Sequence, residues 1–100
     1  MQFIITAYDG TGHDALARRM NTRPRHLENM QKVMEAHKVL CAGGITNPEG
    51  TPIGSFLVMD FPDRGALDRY LATEPYVTEG VWEKITVEPC SAVILNNAFE

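Results

Sequence analysis

The sequence predicts an α+β fold: an antiparallel sheet with two helices on one face, in the order β-α-β-β-α-β, as a single domain over residues 1–100. Three observations carry this. Apolar spacing switches from a period near two to one near 3.6 at His13, and back again at Val39. The turn cluster Asn47-Pro48-Glu49-Gly50-Thr51-Pro52 separates two β-rich runs and leaves no room for a helix between them. A length of 100 residues is close to the usual size of one domain and suffices for one core without staples.

Phe3-Ile4-Ile5-Thr6-Ala7-Tyr8 is rich in β-branched and aromatic residues, and Asp9-Gly10-Thr11-Gly12 ends it in a turn. Alternation puts Phe3, Ile5, Ala7 and Asp9 on one face. Asp9 then sits at the carboxyl end of a buried strand, where proteins with such sheets often place ligands. From His13 to Lys38 the pattern is helical, with Leu16, Met20, Leu27, Met30 and Met34 forming one apolar stripe. Pro24 interrupts it, so either a kink near Asn21–Arg23 or two helices nearly end to end are expected. His26 falls on the first turn after that break, one position off the stripe, at the border between core and cavity.

Val39–Ile45 and Ile53–Phe61 read as the second and third strands, joined as a hairpin with a longer loop. In the third, Ser55, Leu57, Met59 and Phe61 alternate with Phe56, Val58 and Asp60, so both faces are mostly apolar. Pro62-Asp63 opens the second helix, with Asp63 as its cap and Leu67, Tyr70 and Leu71 on its buried side. Glu74-Pro75 stops it. Trp82 to Leu95 is a long β-rich run, and Pro89 within it requires an edge or a bulge.

This order is the ferredoxin-like arrangement. Two helices cover one sheet face, yet the strands are apolar on both. Pairing of two such sheets into a dimeric α+β barrel-like assembly is the economical way to cover the other. In that strand order the second and fourth strands are opposite edges. Cys41 and Cys90 are therefore expected to be unpaired, as small buried thiols of a reducing compartment.

Composition excludes several classes. Hydrophobic residues at 44% and charged residues at 22% are ordinary for a globular domain, which argues against disorder. A net charge of −4 argues against a nucleic-acid partner, which would need a basic footprint. No apolar run approaches the ~20 residues of a membrane span. Met1-Gln2-Phe3-Ile4 lacks the marks of a signal peptide, so the expected location is cytoplasmic.

The chemistry centres on Thr22-Arg23-Pro24-Arg25-His26-Leu27-Glu28. Histidine alone has an unperturbed pKa near neutrality, so His26 is a candidate proton carrier, beside arginines suited to a small anion or an electron-rich ligand. A helix-surface histidine without chemistry is the bland alternative. Arg18, Arg19 and Arg23 cannot all face one cavity. Arg19 is assigned to it because it lies on the side of His26, one heptad earlier. Asp9 is either the polar end of a strand or a pocket residue, and Ser55 either a pocket donor or a small strand residue.

Arg25-His26-Leu27 and Thr73-Glu74-Pro75-Tyr76-Val77, together with the element order, resemble the YciI-like (YCII-related) family, from the first strand to about Val93. The resemblance implies a dimer and a His–carboxylate dyad. His26 matches the family histidine, while Pro75 and Tyr76 match an Asp-Pro-Tyr segment. Glu74 stands where that segment has aspartate, a departure that lengthens the arm by one methylene. It further implies proton-transfer or elimination chemistry on small ring compounds, such as dehydrochlorination of a chlorinated hydroxyhydroquinone. Muconolactone isomerase and cofactor-free monooxygenases are distant relatives of the fold.

The candidate set is thus His26 and Glu74 as an acid/base pair, with Asp9, Arg19, Ser55, Pro75 and Tyr76 binding a small-molecule substrate. No cofactor is implied. No metal is expected either: His26 and His37 stand about 16 Å apart along a continuous helix, and His13 with Asp9 gives two ligands at most. No phosphate loop or nucleophile elbow is present. The function expected is acid/base catalysis on a small compound of aromatic or quinone type in a homodimer or higher homo-oligomer. A non-catalytic ligand-binding or regulatory module is the alternative.

Overall fold

In a computed structural model describing residues 1–100, β1 (Gln2–Asp9), β2 (Val39–Thr46), β3 (Pro52–Asp60) and β4 (Trp82–Cys90) form one antiparallel sheet in the order β2-β3-β1-β4. Helices α1 (Ala15–Glu35), α2 (Arg64–Leu71) and the short α3 (Pro75–Thr78) complete a ferredoxin-like fold. Phe3, Ile5 and Ala7 of β1 and Leu57 and Met59 of β3 point to the helix side and are buried with Leu67, Tyr70, Tyr76, Val81 and Trp82. Asp63 caps α2 as expected, accepting from the Ala66 amide at 2.8 Å. Pro89 sits on the edge strand β4, where its missing N–H costs the sheet nothing. No helix is long and apolar enough to cross a membrane.

Several expectations are narrowed or corrected. α1 is one helix through Pro24, which excludes the alternative of two helices end to end. Pro24 and Met20 are both exposed, so the backbone bond lost between them lies on the water side. The helix starts at Ala15 and ends at Glu35, inside the expected bounds. The region after Glu74 is not a plain stop: Pro75 opens α3, occupying the first helical position, where its missing N–H is no loss. The last β-rich run ends at Cys90. Beyond it β5 (Ile94–Leu95) and β6 (Ala98–Phe99) make a separate hairpin, turned by Asn96 and Asn97 with φ of 52° and 63°.

The largest correction concerns which side of α1 is buried. Leu16, Met20, Leu27 and Met34 of the apolar stripe are exposed, and only Met30 packs on the core. The buried residues are Arg19 and Thr22, with His26 and Asn29 half-buried along the same line. At 100° per residue the two lines are about a quarter turn apart. A helix usually buries its apolar stripe, and here it buries a polar one in which Arg19, His26 and Asn29 find partners. The two cysteines are free as expected and lie on opposite edge strands, although Cys41 is exposed rather than buried.

Candidate functional site

Glu74 lies between α2 and α3 in extended conformation, and its side chain turns back to accept the Tyr76 amide at 3.2 Å. Its carboxylate is fully buried. An ionised carboxylate is tolerated there only if its lone pairs are filled, and they are. His26 Nδ1–H donates to Oε1 at 2.5 Å, Tyr70 O–H donates to Oε2 at 2.6 Å, and Asn29 Nδ2 reaches Oε2 at 3.5 Å. Burial by itself would push the Glu74 carboxyl up. The bonds from His26, Tyr70 and the Tyr76 amide, with the His26 charge, outweigh burial and hold it below the ordinary range. Tyr70 is driven the other way, by its own burial and then by the Glu74 charge, and so stays a protonated donor.

The bond at Nδ1 fixes the tautomer of the neutral His26 ring and leaves Nε2 with the free lone pair. The ring is held by stacking: Tyr76 lies parallel at 3.9 Å between centroids and 7° between planes, and Trp82 stands edge-on at 6.2 Å. Arg19 and His26 are one heptad apart on α1, roughly 10 Å of rise. The Tyr76 ring occupies that interval, with the Arg19 guanidinium 4.9 Å from its centroid.

Arg19 is itself fully committed. Nη1 donates to both Asp9 oxygens at 2.9 and 3.1 Å, and Nη2 donates to Ser55 Oγ at 2.9 Å. Ser55 Oγ also accepts Trp82 Nε1–H at 3.1 Å. Burial pushes the Asp9 carboxyl up, and the Arg19 charge and hydrogen bonds offset that only in part.

His26 opens onto a cavity of about 490 Å³ between α1 and the adjacent strands β2 and β3. On β2, Ala42, Gly44 and Thr46 face the helix side, and all three are exposed. Their side chains are too short to reach α1, which leaves a trough floored by β2 and walled by Met20, Leu27 and Met30. The apolar stripe of α1 therefore lines the cavity.

The expected residues are placed as follows. His26, Glu74, Tyr76, Arg19, Ser55 and Asp9 form one connected cluster. His26, Arg19, Ser55 and Tyr76 line the cavity, and Glu74 is sealed behind His26. Asp9 lines a second hollow of about 370 Å³ instead, and Pro75 lines neither. Three members were missed from the sequence: Tyr70, Trp82 and Asn29. Tyr70 stands four residues before Glu74 at the end of a helix, a spacing that becomes informative once Glu74 is known to point inward. Arg18 is exposed, whereas Arg23 is exposed but borders the cavity. No group of three or more His, Cys, Asp or Glu side chains is arranged to hold a metal ion.

Known proteins share this architecture. The structure of 5-chloro-2-hydroxyhydroquinone dehydrochlorinase from Burkholderia phenoliruptrix, in complex with 2,5-dihydroxybenzoquinone, superimposes with a TM-score of 0.80 at 21% identity, covering 91% of this chain and 94% of that one. An antibiotic biosynthesis monooxygenase is more distant, with a TM-score of 0.53 at 21% identity over 93% of this chain and 98% of that chain. In sequence, Protein YciI of Escherichia coli O6:H1 is 30% identical over 99 residues, covering 93% of this chain and 99% of the relative. With residues 1–91 also matching the YCII-related domain, the chain belongs to the YCII-related domain family.

Proposed function

We propose that the chain is a small-molecule enzyme in which the His26–Glu74 pair performs general acid/base chemistry on a small ring compound of the hydroquinone or quinone type. The observation that carries this is the pair itself: a fully buried Glu74 bonded to Nδ1 of a His26 whose ring borders an open cavity. In the proposed step Nε2 takes a proton from a ring hydroxyl or ring carbon. The Glu74 charge stabilises the imidazolium that forms, and the leaving group departs with its bonding electrons. The shared fold with a dehydrochlorinase in complex with 2,5-dihydroxybenzoquinone supports the choice of ring compound. No organic cofactor enters the scheme.

The same reading includes a homodimer. Ile4, Tyr8, Phe56 and Val58 lie on the sheet face away from the helices, and Tyr8 and Phe56 are exposed in the single chain. Burying them sheet to sheet would remove that apolar surface from water. Sedimentation at micromolar concentration should give a dimer, and a monomer there would remove this part of the proposal.

The test of the chemistry is chloride release from 5-chloro-2-hydroxyhydroquinone under anaerobic conditions, comparing the chain with its His26→Ala variant. Release that disappears with the imidazole supports the enzyme. Absence of turnover by the unsubstituted chain, with binding still visible as a raised melting temperature, would make the cavity that of a sensing or regulatory module instead.

A further inference from the structure

The Tyr76 hydroxyl is the one buried side-chain polar atom of the chain without a hydrogen-bond partner. Proteins leave few such groups, because each loses its solvation without a replacement bond. Tyr76 cannot turn to find a partner. Its ring is stacked on His26, crossed edge-on by Trp82 at 5.6 Å and faced by Arg19. Those same contacts place it in the wall of the cavity onto which His26 opens.

Arg23 borders the same cavity, and its guanidinium takes part in no ion pair. It contrasts with Arg19, one helical turn earlier, whose charge is consumed by Asp9. Around this corner of the cavity the free polar groups are both donors, one permanently cationic. The phenol remains protonated at neutral pH: burial raises it, with Asp9 and Glu74 acting the same way and the Arg19 and Arg23 charges opposing. A neutral ligand oxygen would satisfy the hydroxyl and leave the Arg23 charge unanswered.

We infer that Tyr76 Oη and the Arg23 guanidinium form an oxyanion subsite, so that the ligand is a ring compound bound through an ionised oxygen, while His26 Nε2 serves another position on the same ring. This rests on the cavity being the ligand site. Water does not reach the hydroxyl in the free chain, and Met20 and Arg23, both long and exposed, line the same cavity. Movement of Met20 uncovers the hydroxyl, and the entering oxyanion draws Arg23 in. The orphaned donor is thus a cost carried by the free protein and recovered on binding.

The probe is 2,5-dihydroxybenzoquinone, ionised at neutral pH, with 2,5-dimethoxybenzoquinone as the analogue that cannot ionise. Titration calorimetry is run with both on the unsubstituted chain, Tyr76→Phe and Arg23→Gln, beside thermal melting of each free protein. The ionised quinone is expected to bind the unsubstituted chain more tightly than the dimethoxy compound. Tyr76→Phe keeps the stacking ring and removes only the orphaned hydroxyl. It should leave the melting temperature of the free protein unchanged or raised, yet weaken the ionised quinone about 10- to 100-fold, as loss of a hydrogen bond to a charged group does. Arg23→Gln should weaken the same ligand and flatten its salt dependence without affecting the dimethoxy compound. Equal binding of the two quinones, or unchanged affinity in both variants, overturns the subsite and leaves the cavity as a ligand site. Binding of neither quinone at millimolar concentration overturns the ring-compound reading of the cavity and the subsite with it.

Discussion

Glu74 and Asp9 are both buried carboxylates facing a cationic or proton-bearing partner on α1, but the chain surrounds them differently. Glu74 accepts from a tyrosine hydroxyl, a backbone amide and an imidazole, and is held below the ordinary carboxylate range. Asp9 has one partner side chain, Arg19, and is pushed above its ordinary value. The partners differ in kind as well. Arg19 never gives up its proton, so the Asp9 pair is a fixed clamp that holds Ser55 and the face of Tyr76 in place. An imidazole is able to exchange a proton where a guanidinium is not, and in the proposed reading the ionised carboxylate behind His26 makes that exchange useful. The lesson is that a charge pair becomes chemical when one member titrates and the other is prevented from doing so.

If the two pairs divide the work this way, their disruption should separate activity from stability. The largest effect is expected from Glu74→Gln. The amide keeps size and most hydrogen-bond positions but loses the charge opposite the imidazolium, and a comparable change in a catalytic triad costs about 10⁴ in rate. Chloride release should fall by roughly 10³–10⁴. His26→Ala should lose about as much, since residues acting as a unit are not additive. Glu74→Asp keeps the charge and should retain measurable turnover. Turnover of Glu74→Gln equal to that of the unsubstituted chain would make Glu74 a bystander.

Asp9→Ala should do the reverse. It strands the buried Arg19 guanidinium, and breaking a buried pair from one side costs about 3–5 kcal/mol. Denaturant unfolding should show a loss of this size, larger than that caused by Glu74→Gln. A smaller loss in Asp9→Ala than in Glu74→Gln would invert the division of labour.

Tyr70→Phe probes the support behind Glu74 at lower cost. It removes the O–H donor to Oε2 while leaving the ring packed against Phe61 at 5.8 Å. Stability should fall by about 1.5–3 kcal/mol, the range for one hydrogen bond to a charged acceptor. The Glu74 carboxyl should also titrate higher, which carbon-detected NMR of the side chain would read directly. An unchanged carboxyl titration would mean that Tyr70 contributes packing alone.

How far these pairs could be read from sequence depends on how each is encoded. His26, Glu74 and Tyr76 sit in two short motifs whose pairing is legible through their resemblance to the YCII-related family, whereas Arg19 follows from its heptad spacing to His26. Asp9 was legible as the end of an alternating strand, but the cavity that it faces was not. The buried side of α1 was misread because hydropathy assigns burial to Leu16, Met20, Leu27 and Met34. Polar residues replace them inward only because partners arrive from β1, β3 and the α2–α3 junction, far away in the chain. The trough left by Ala42 and Gly44 likewise appears only when β2 is set against α1. The hairpin after Cys90 escaped notice because no strong breaker separates it from β4, and its Asn96-Asn97 turn lies beyond the β-rich run.

The smallest and most discriminating effect is on the acid limb of stability. Glu74 is lower in the folded chain than its ordinary 4.5. Its contribution is therefore fully present above that value and drains away as pH falls through the folded value, because the unfolded chain binds the proton first. Asp9 is higher in the folded chain than its ordinary 3.8, so the folded chain binds that proton first. Its contribution is fully present below 3.8 and declines as pH rises through the folded value. The two slopes oppose each other across the carboxylate range. Melting temperatures should show a shallow net dependence on pH in the unsubstituted chain. Glu74→Gln should flatten the loss in acid, since nothing remains there to protonate. Asp9→Asn should steepen the gain as pH rises above 3.8, since the opposing Asp9 contribution is gone. Changes of the same sign in the two variants would mean that the carboxylates share one environment, and the contrast between clamp and acid/base pair would have to be abandoned.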